Sequence, residues 1–526
     1  MGRMRTAIVA LALAVLALPD DPRPVTVSIV ATSDLHGMAL PDNVRGGLPL
    51  LAGFVNNLRA ARAADGGAVL LLDSGDTFQG GIESDLSEGA LVVDAYNAMG
   101  YTAEAIGNHD FDFGAIDAGL ARQLPGDLRG AIKARAAQAR YPFLAANLID
   151  EATGRHVQWP NVWPSVLVEA AGVKIGIIGV MTIDAMQSNI AANVQGLRVA
   201  PLAPAIVANA KQLRAAGAEI VIVAAHAGGR CERFDRPDDL SSCEADGEIF
   251  RAAKVLPPGL VDAIAAGHTH AGIGHLVEGI GIVEPFSRGQ SFSRVDLVFD
   301  RRRRRVARVQ PFAPHEVAAG DYEGKAVTPD PTIVQAMAPG LARVRALQAT
   351  PLDVFLEAPI PRAGAEGSPL GNLFADALRA AVPRADVAAI NNAARGLRAD
   401  LPEGPLTFGR LYDVFPFDNR IARVTVSGAE LSRWIANEIS QGRRGSLGLS
   451  GVEVRATSSG EELHIELFRN GKRIADGERL LAVTIGGPTL SGNLASSDPV
   501  AGVGPGANAP VVREVVEAWL RARPPH

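Results

Sequence analysis

Asn108, His109, Asp110 and Asp112 crowd into the stretch GNHDFDFG (107–114), directly after the apolar run YTAEAI. Four comparable clusters occur elsewhere: Ser33-Asp34-Leu35-His36-Gly37, Asp73-Ser74-Gly75-Asp76, His226-Ala227-Gly228-Gly229 and Gly267-His268-Thr269-His270. Any one of them also describes an ordinary polar turn, because Asp and Asn are common turn formers. Together they offer Asp34, Asp76, Asn108, His36, His226, His268 and His270, a mixed nitrogen and oxygen donor set without thiolate. Such a set suits Mn²⁺, Zn²⁺, Fe or Co. One ion does not need so many donors, whereas two divalent metal ions sharing a carboxylate would use them all. His156, His275, His315, His464 and His526 lack this setting and read as ordinary.

The elements that must position these residues alternate. VTVSIVAT (25–32), AVLLLD (68–73), AEAI, FLAANL, VKIGIIGV (173–180), EIVIVAAH (219–226) and VDAIAAGH (261–268) read as buried strands, with helical spacing between several of them. That rhythm predicts a layered α/β domain. In open α/β sheets, ligands gather beyond the carboxyl ends of strands, and all five clusters fall there. GHLVEGIGIVEPF and SFSRVDLVFD then read as antiparallel strands, with RRRRR (301–305) as a solvated hairpin tip. DPTIVQAMAPGLARVRALQAT (330–350) predicts a linker helix kinked at Pro339-Gly340.

A chain of 526 residues is long enough for two or more domains. A net charge of −6 gives no reason to expect nucleic acid as a partner. Arg3 and Arg5 precede the apolar run Ala7–Leu18, which reads as a secretory signal peptide over residues 1–20, with an uncleaved anchor as the alternative. The run is too short to span a bilayer comfortably, so no stable membrane insertion is expected once it is removed. The expected location is periplasmic or extracellular. The only two cysteines, Cys231 and Cys243, share one polar segment, where a local disulfide or two free surface thiols are the alternatives; export favours the disulfide.

ATSDLHG, SGDTFQG, GNHDFDFG, HAGG and GHTH resemble the ordered motifs of the calcineurin-like metallophosphoesterases. FDFG and the blocks SPLGNLFADAL, LRADLPEGPLTFGRLYDVFPFDN and VTVSGAEL narrow the resemblance to the secreted 5'-nucleotidase family. It implies an α/β fold class: an N-terminal four-layer α/β/β/α metallophosphoesterase sandwich over residues 25–320, a linker at 321–350, and a second, smaller α/β substrate-binding domain over 351–523. It also implies that Asp34, His36, Asp76 and His270 hold one metal and Asp76, Asn108, His226 and His268 the other. His109 would face the substrate phosphate, oriented by Asp112; Asp110 receives no role. Such a metal pair activates water near neutral pH and neutralises charge on the phosphoryl oxygens.

In the resembled family the C-terminal domain grips the nucleotide, which assigns Phe417 to base stacking, Asn419 to a base contact and Arg398 to the phosphate. The pattern is broken in places. Ala393, Ala394 and Arg395 intrude in NNAARGLR, Arg362 is displaced, and VTIGGPTLSGN (483–493) has no aromatic where a second ring belongs. A base stacked on one face only loses about 1–3 kcal/mol, which predicts relaxed base selectivity. The expected activity is secreted phosphomonoester hydrolysis, chiefly of 5'-nucleotides. The alternatives are phosphodiester or pyrophosphate hydrolysis of cyclic nucleotides or nucleotide sugars, and an inactive secreted binding protein on the same fold.

Overall fold

Period-two burial sorts the strand residues of the N-terminal part into two opposite faces. In the strand Val25–Thr32, Val27, Ile29 and Ala31 point one way and Val30 the other; in Ile220–His226, Ile220 and Ile222 oppose Val221, Val223 and Ala225. Strands apolar on both faces must be covered on both faces. The computed structural model, which describes residues 23–42, 45–116, 126–189, 191–365, 367–391, 396–416, 419–442, 445, 447–459, 462–485 and 509–523 together with Ala10–Leu11, meets that requirement with two stacked sheets and helices outside each.

The first sheet runs, in spatial order, Arg305–Pro311, Ser291–Asp300, Val25–Thr32, Ala68–Asp73, Ala103–Ala105, Phe143–Leu144, Val162–Trp163. Its strands from Val25–Thr32 onward are parallel, and the Ser291–Asp300 and Arg305–Pro311 hairpin adds antiparallel to one side. The second sheet contains Ser165–Ala170, Val173–Met181, Ile220–His226, Ala263–Ala266, Ile280–Pro285 and Gly272–Val277 in that order. Val27, Ile29, Leu70 and Leu72 of one sheet meet Ile175, Ile177, Ile222 and Ala265 of the other in a shared core. Helices Leu48–Asp65 and Ala90–Met99 cover the outer face of the first sheet, and Leu202–Ala215 and Glu248–Lys254 that of the second. The layers are therefore α/β/β/α. Helix Leu48–Asp65 opens with Pro49 and closes on left-handed Gly66, and Ala90–Met99 closes on left-handed Gly100, the usual end signals.

The chain divides into two compact units, the change falling between Ala342 and Arg343 inside the helix Pro331–Gln348, which continues through Pro339. The C-terminal unit is also α/β. Its main sheet has the order Ile421–Ser427, Arg479–Ile485, Val387–Asn391, Leu447–Ser450, with helices Pro369–Ala381, Phe408–Val414, Gly428–Ser440 and Val512–Arg521. Ser427 and Glu430 form a reciprocal capping box that starts Gly428–Ser440. Arg301–Arg304 form the turn between the strands Ser291–Asp300 and Arg305–Pro311, and Arg305 opens the second strand, so the arginine run marks a hairpin tip as the sequence predicts. Cys231 and Cys243 are joined in a disulfide. The expected signal segment, residues 1–20, lies outside the described residues apart from Ala10–Leu11. No described helix is long and apolar enough to cross a membrane.

Candidate metal centre

Asp34 follows the end of Val25–Thr32, Asp76 the end of Ala68–Asp73, and Asn108 the end of Ala103–Ala105; His226 closes its strand and His268 follows Ala263–Ala266. These strands belong to both sheets and run to the same edge of the sandwich. One donor group consists of Asp34, His36, Asp76 and His270, and a second of Asp76, His226 and His268; within each, one ligand atom per residue lies within 4.8 Å of all the others. Asp76 belongs to both. Asn108 joins the second group, with Oδ1 3.0 Å from His226 Nε2.

The imidazoles are turned so that their lone pairs converge. His36 Nδ1 donates to the Gln79 carbonyl at 2.9 Å, and His226 Nδ1 donates to the Ser74 carbonyl at 2.9 Å. Each leaves Nε2 as the open donor nitrogen, the orientation that metal-bound histidines adopt. His36 Nε2 then lies 3.0 Å from His270 Nε2, and His226 Nε2 lies 3.1 Å from His268 Nδ1. Two lone pairs that close repel each other unless a proton or a cation lies between them. The donor set fits divalent cations on this ground as well as by its composition.

The backbone is strained to achieve this. Asp34, His36, Asp76, His268 and His270 all have positive φ, between 49° and 79°. Left-handed conformation costs a non-glycine residue about 1–2 kcal/mol. Such strain persists where surrounding contacts enforce it, commonly at functional sites. Close approach contributes too: a Cβ on Gly107 would stand 2.3 Å from both the backbone nitrogen and Oδ1 of Asp76.

The electrostatics follow from burial and charge. Asp34, Asp76, Asn108 and His226 are buried, His36 and His268 half-buried, and His270 exposed. Burial disfavours the Asp76 carboxylate, but His226 and His109 outweigh it and hold its pKa well below the usual range. Burial likewise opposes the charged form of His226, yet Asp76, Asp34 and Asp110 push it up to about 10. His268 is pulled down to about 4 by burial and by the neighbouring His226. A pocket that grips a proton this firmly grips a cation by the same field.

His109 behaves differently from Asn108 beside it. Its backbone N–H donates to Asp76 Oδ1 at 2.7 Å, while its Nδ1 donates to Asp112 Oδ2 at 2.7 Å. Nε2 is the remaining ring nitrogen. Burial lowers the pKa of His109, but Asp112 and Asp76 carry it up to about 9. The ring lies 5.4 Å from that of His36.

Two carboxylates that the sequence left without a role knit the loops together. Asp110 accepts from the backbone N–H of Gly107 at 2.8 Å, Thr77 at 2.9 Å and Asp76 at 3.3 Å, so it ties two donor-bearing loops to each other. Buried Glu284 accepts from Thr269 Oγ1 at 2.6 Å and from Gly229 N–H at 3.3 Å, joining the loop of His268 and His270 to the one after His226. The only sequence signal for Glu284 is an acid inside the apolar run GIVEPF.

The other expected substrate residues lie in the C-terminal unit. Arg398 is exposed; its backbone N–H donates to the Val414 carbonyl and its carbonyl accepts from Arg362 Nη1. Asn419 is half-buried, and its carbonyl accepts from Val512 N–H at 2.9 Å. Phe417 lies outside the described residues, as do Gly487, which stands about where the second ring belongs, and Asn493, which stands where the resembled family has an aspartate.

Comparison with known proteins bears on both units. Residues 27–272 match the calcineurin-like phosphoesterase family model, and residues 348–490 match that of the 5'-nucleotidase, C-terminal domain. The chain is 24% identical over 529 residues to Protein UshA of Yersinia enterocolitica, covering 93% of this chain and 88% of that one. It is 25% identical over 418 residues to Endonuclease YhcR of Bacillus subtilis, covering 77% of this chain and 31% of that one, so it spans under a third of that relative's length. Among solved structures, a 5'-nucleotidase precursor from Thermus thermophilus is similar in fold, with a TM-score of 0.60 and 20% identity over 94% of this chain and 96% of the other.

Proposed function

The chain belongs to the phosphate-ester hydrolases that join a calcineurin-like phosphoesterase domain to a 5'-nucleotidase C-terminal domain, and from that premise we propose that it hydrolyses phosphomonoesters, chiefly 5'-nucleotides, outside the cytoplasm at a centre of two divalent cations. The observation that carries this reading is the pair of donor groups sharing Asp76. One cation would be held by Asp34, His36, Asp76 and His270, and the other by Asp76, Asn108, His226 and His268. When bound, such cations supply Lewis-acid neutralisation of the phosphoryl charge and a water-derived nucleophile at neutral pH.

The chain's own residues do the rest. Asp110 and Glu284 hold the donor loops at fixed spacing. Asp112 orients His109 through Nδ1 and favours its protonated form. His109 Nε2–H can then donate to a phosphoryl oxygen or pass a proton to the departing alkoxide. Arg398 and Asn419 are proposed to hold the phosphate and the base, with Phe417 as a stacking ring. Export is supported by the basic and apolar N-terminal run and by the disulfide. A second reading, diester or pyrophosphate hydrolysis, draws on the similarity to a protein named as an endonuclease.

A substrate panel tests the proposal. The protein is stripped with chelator, restored with single ions, and assayed on AMP, GMP, UMP, p-nitrophenyl phosphate, a bis-nitrophenyl diester and a nucleotide sugar. Metal-dependent monoester turnover with similar kcat/KM across the bases is expected. Preference for the diester would establish the second reading, and absence of turnover with every ion would leave a binding protein on a hydrolase fold.

A further inference from the structure

Behind the loop that follows His226 lies a cluster that the catalytic centre does not use. Cys231 and His275 are buried, Cys243 is half-buried, and a ligand atom of each lies within 4.8 Å of the other two. His275 is fully buried in the strand Gly272–Val277, and its Nε2 makes no hydrogen bond of normal geometry. Gly274 N–H donates to its Nδ1 at 3.2 Å, and the Arg233 backbone lies against the ring. The sequence alone read this histidine as ordinary, because its neighbours are distant in the chain.

The cysteines are held opposite each other by more than their sulfurs. On one side of the pair Glu232 N–H donates to the Ser242 carbonyl at 3.2 Å, and on the other Glu244 N–H donates to the Arg230 carbonyl at 2.9 Å. Cys231 N–H donates to the Gly272 carbonyl at 3.2 Å, and Leu276 N–H donates to the Pro237 carbonyl at 2.9 Å, which anchors the loop to the strand of His275. Phe234 packs against the imidazole with ring centroids 6.0 Å apart. None of these contacts uses a sulfur atom, so the loop and the strand have anchors besides the sulfur–sulfur bond. Burial lowers the His275 pKa and keeps the ring in its neutral, ligating form.

We propose that Cys231, Cys243 and His275 form a second, redox-gated metal site, which takes a thiophilic divalent cation such as Zn²⁺ when the disulfide is reduced. A thiol reductant delivers two electrons and two protons to the sulfur–sulfur bond, giving two thiols and an oxidised reductant. Binding then displaces one proton from each thiol, and two thiolates with one neutral imidazole hold the cation. Two sulfurs and a nitrogen are a common zinc donor set, and a fourth position remains for water. A disulfide oxidant reverses the sequence: it takes the two electrons and leaves as two thiols, the Cys231–Cys243 disulfide closes and the cation departs. The partly exposed Cys243 gives the route of entry.

Cobalt distinguishes this site from the catalytic centre, whose donors include no sulfur. The full chain, reduced with a phosphine and titrated with Co²⁺, should bind one more ion than the oxidised chain and show a thiolate-to-cobalt charge-transfer band; these are the only two cysteines, so the band has no other source. Adding Zn²⁺ should erase it. His275→Ala and the closer-sized His275→Asn should each weaken the extra ion by more than the about tenfold that even outer-sphere partners cost. Circular dichroism confirms that each sample is folded. The proposal is overturned if the reduced, folded chain shows no band, or if both variants keep wild-type affinity. It is equally overturned if reduction destroys the native spectrum and Co²⁺ does not restore it. Phosphate-ester turnover plays no part in this readout, so the two proposals fail separately.

Discussion

His109 turns its backbone toward Asp76 and its ring toward Asp112, which separates loss of the ring from loss of the loop. His109→Ala should therefore lower kcat by about 10²–10⁴-fold, the usual range for a positioned acid or base. Metal content measured by elemental analysis should stay at the wild-type level; a matching loss of metal would make His109 a structural residue instead. His226 carries the opposite expectation. Carboxylates push its pKa up to about 10, so below that pH an incoming cation must displace a proton. Metal affinity should then rise with pH by about tenfold per unit for each proton displaced. Calorimetric titration in buffers of different ionisation enthalpy reads the released proton directly. A flat affinity from pH 6 to 9 would mean that His226 is already neutral in the free protein.

At the level of elements, the close passage of the loop after Ala103–Ala105 against the loop after Ala68–Asp73 makes Gly107 critical. Gly107→Ala drives a methyl into both the backbone nitrogen and Oδ1 of Asp76, a contact that must be relieved by shifting that backbone together with the shared carboxylate. Overpacking of this kind costs about 1–3 kcal/mol. Thermal unfolding should show that loss, and cation affinity should fall with it; an unchanged affinity would show that Asp76 has room to move. Much of this arrangement was legible beforehand. Strand identities followed from apolar runs and period-two patterning, and the seven donors stood out because each closes or follows such a run. Asp110 and Glu284 were not legible, because each reaches a group in a loop distant in the chain, Thr77 N–H for Asp110 and Thr269 Oγ1 and Gly229 N–H for Glu284, which residue spacing cannot reveal. The grouping of His275 with Cys231 and Cys243 is likewise spatial. In the C-terminal unit Arg398 and Asn419 lie among described residues, whereas Phe417 does not, and the role of all three still rests on motif resemblance.

For the whole molecule, the donors come from loops on both sheets of one sandwich, so cations bound there would act as a cross-brace between layers. A ligand that binds only the folded state at 100 times its Kd adds about 2.7 kcal/mol. Chelator treatment should accordingly lower the Tm, and re-adding Mn²⁺ or Zn²⁺ should restore it. A Tm indifferent to chelator would mean that the sheets need no such brace. The left-handed residues at the centre carry a further consequence. Substituting glycine at Asp34, His36, Asp76, His268 or His270 would relax the local backbone while abolishing a donor. Grown without divalent ions, where there is no brace to lose, a laboratory lineage selected only to survive heat would drift toward those glycines; supplied with the ions, it would keep the strained donors.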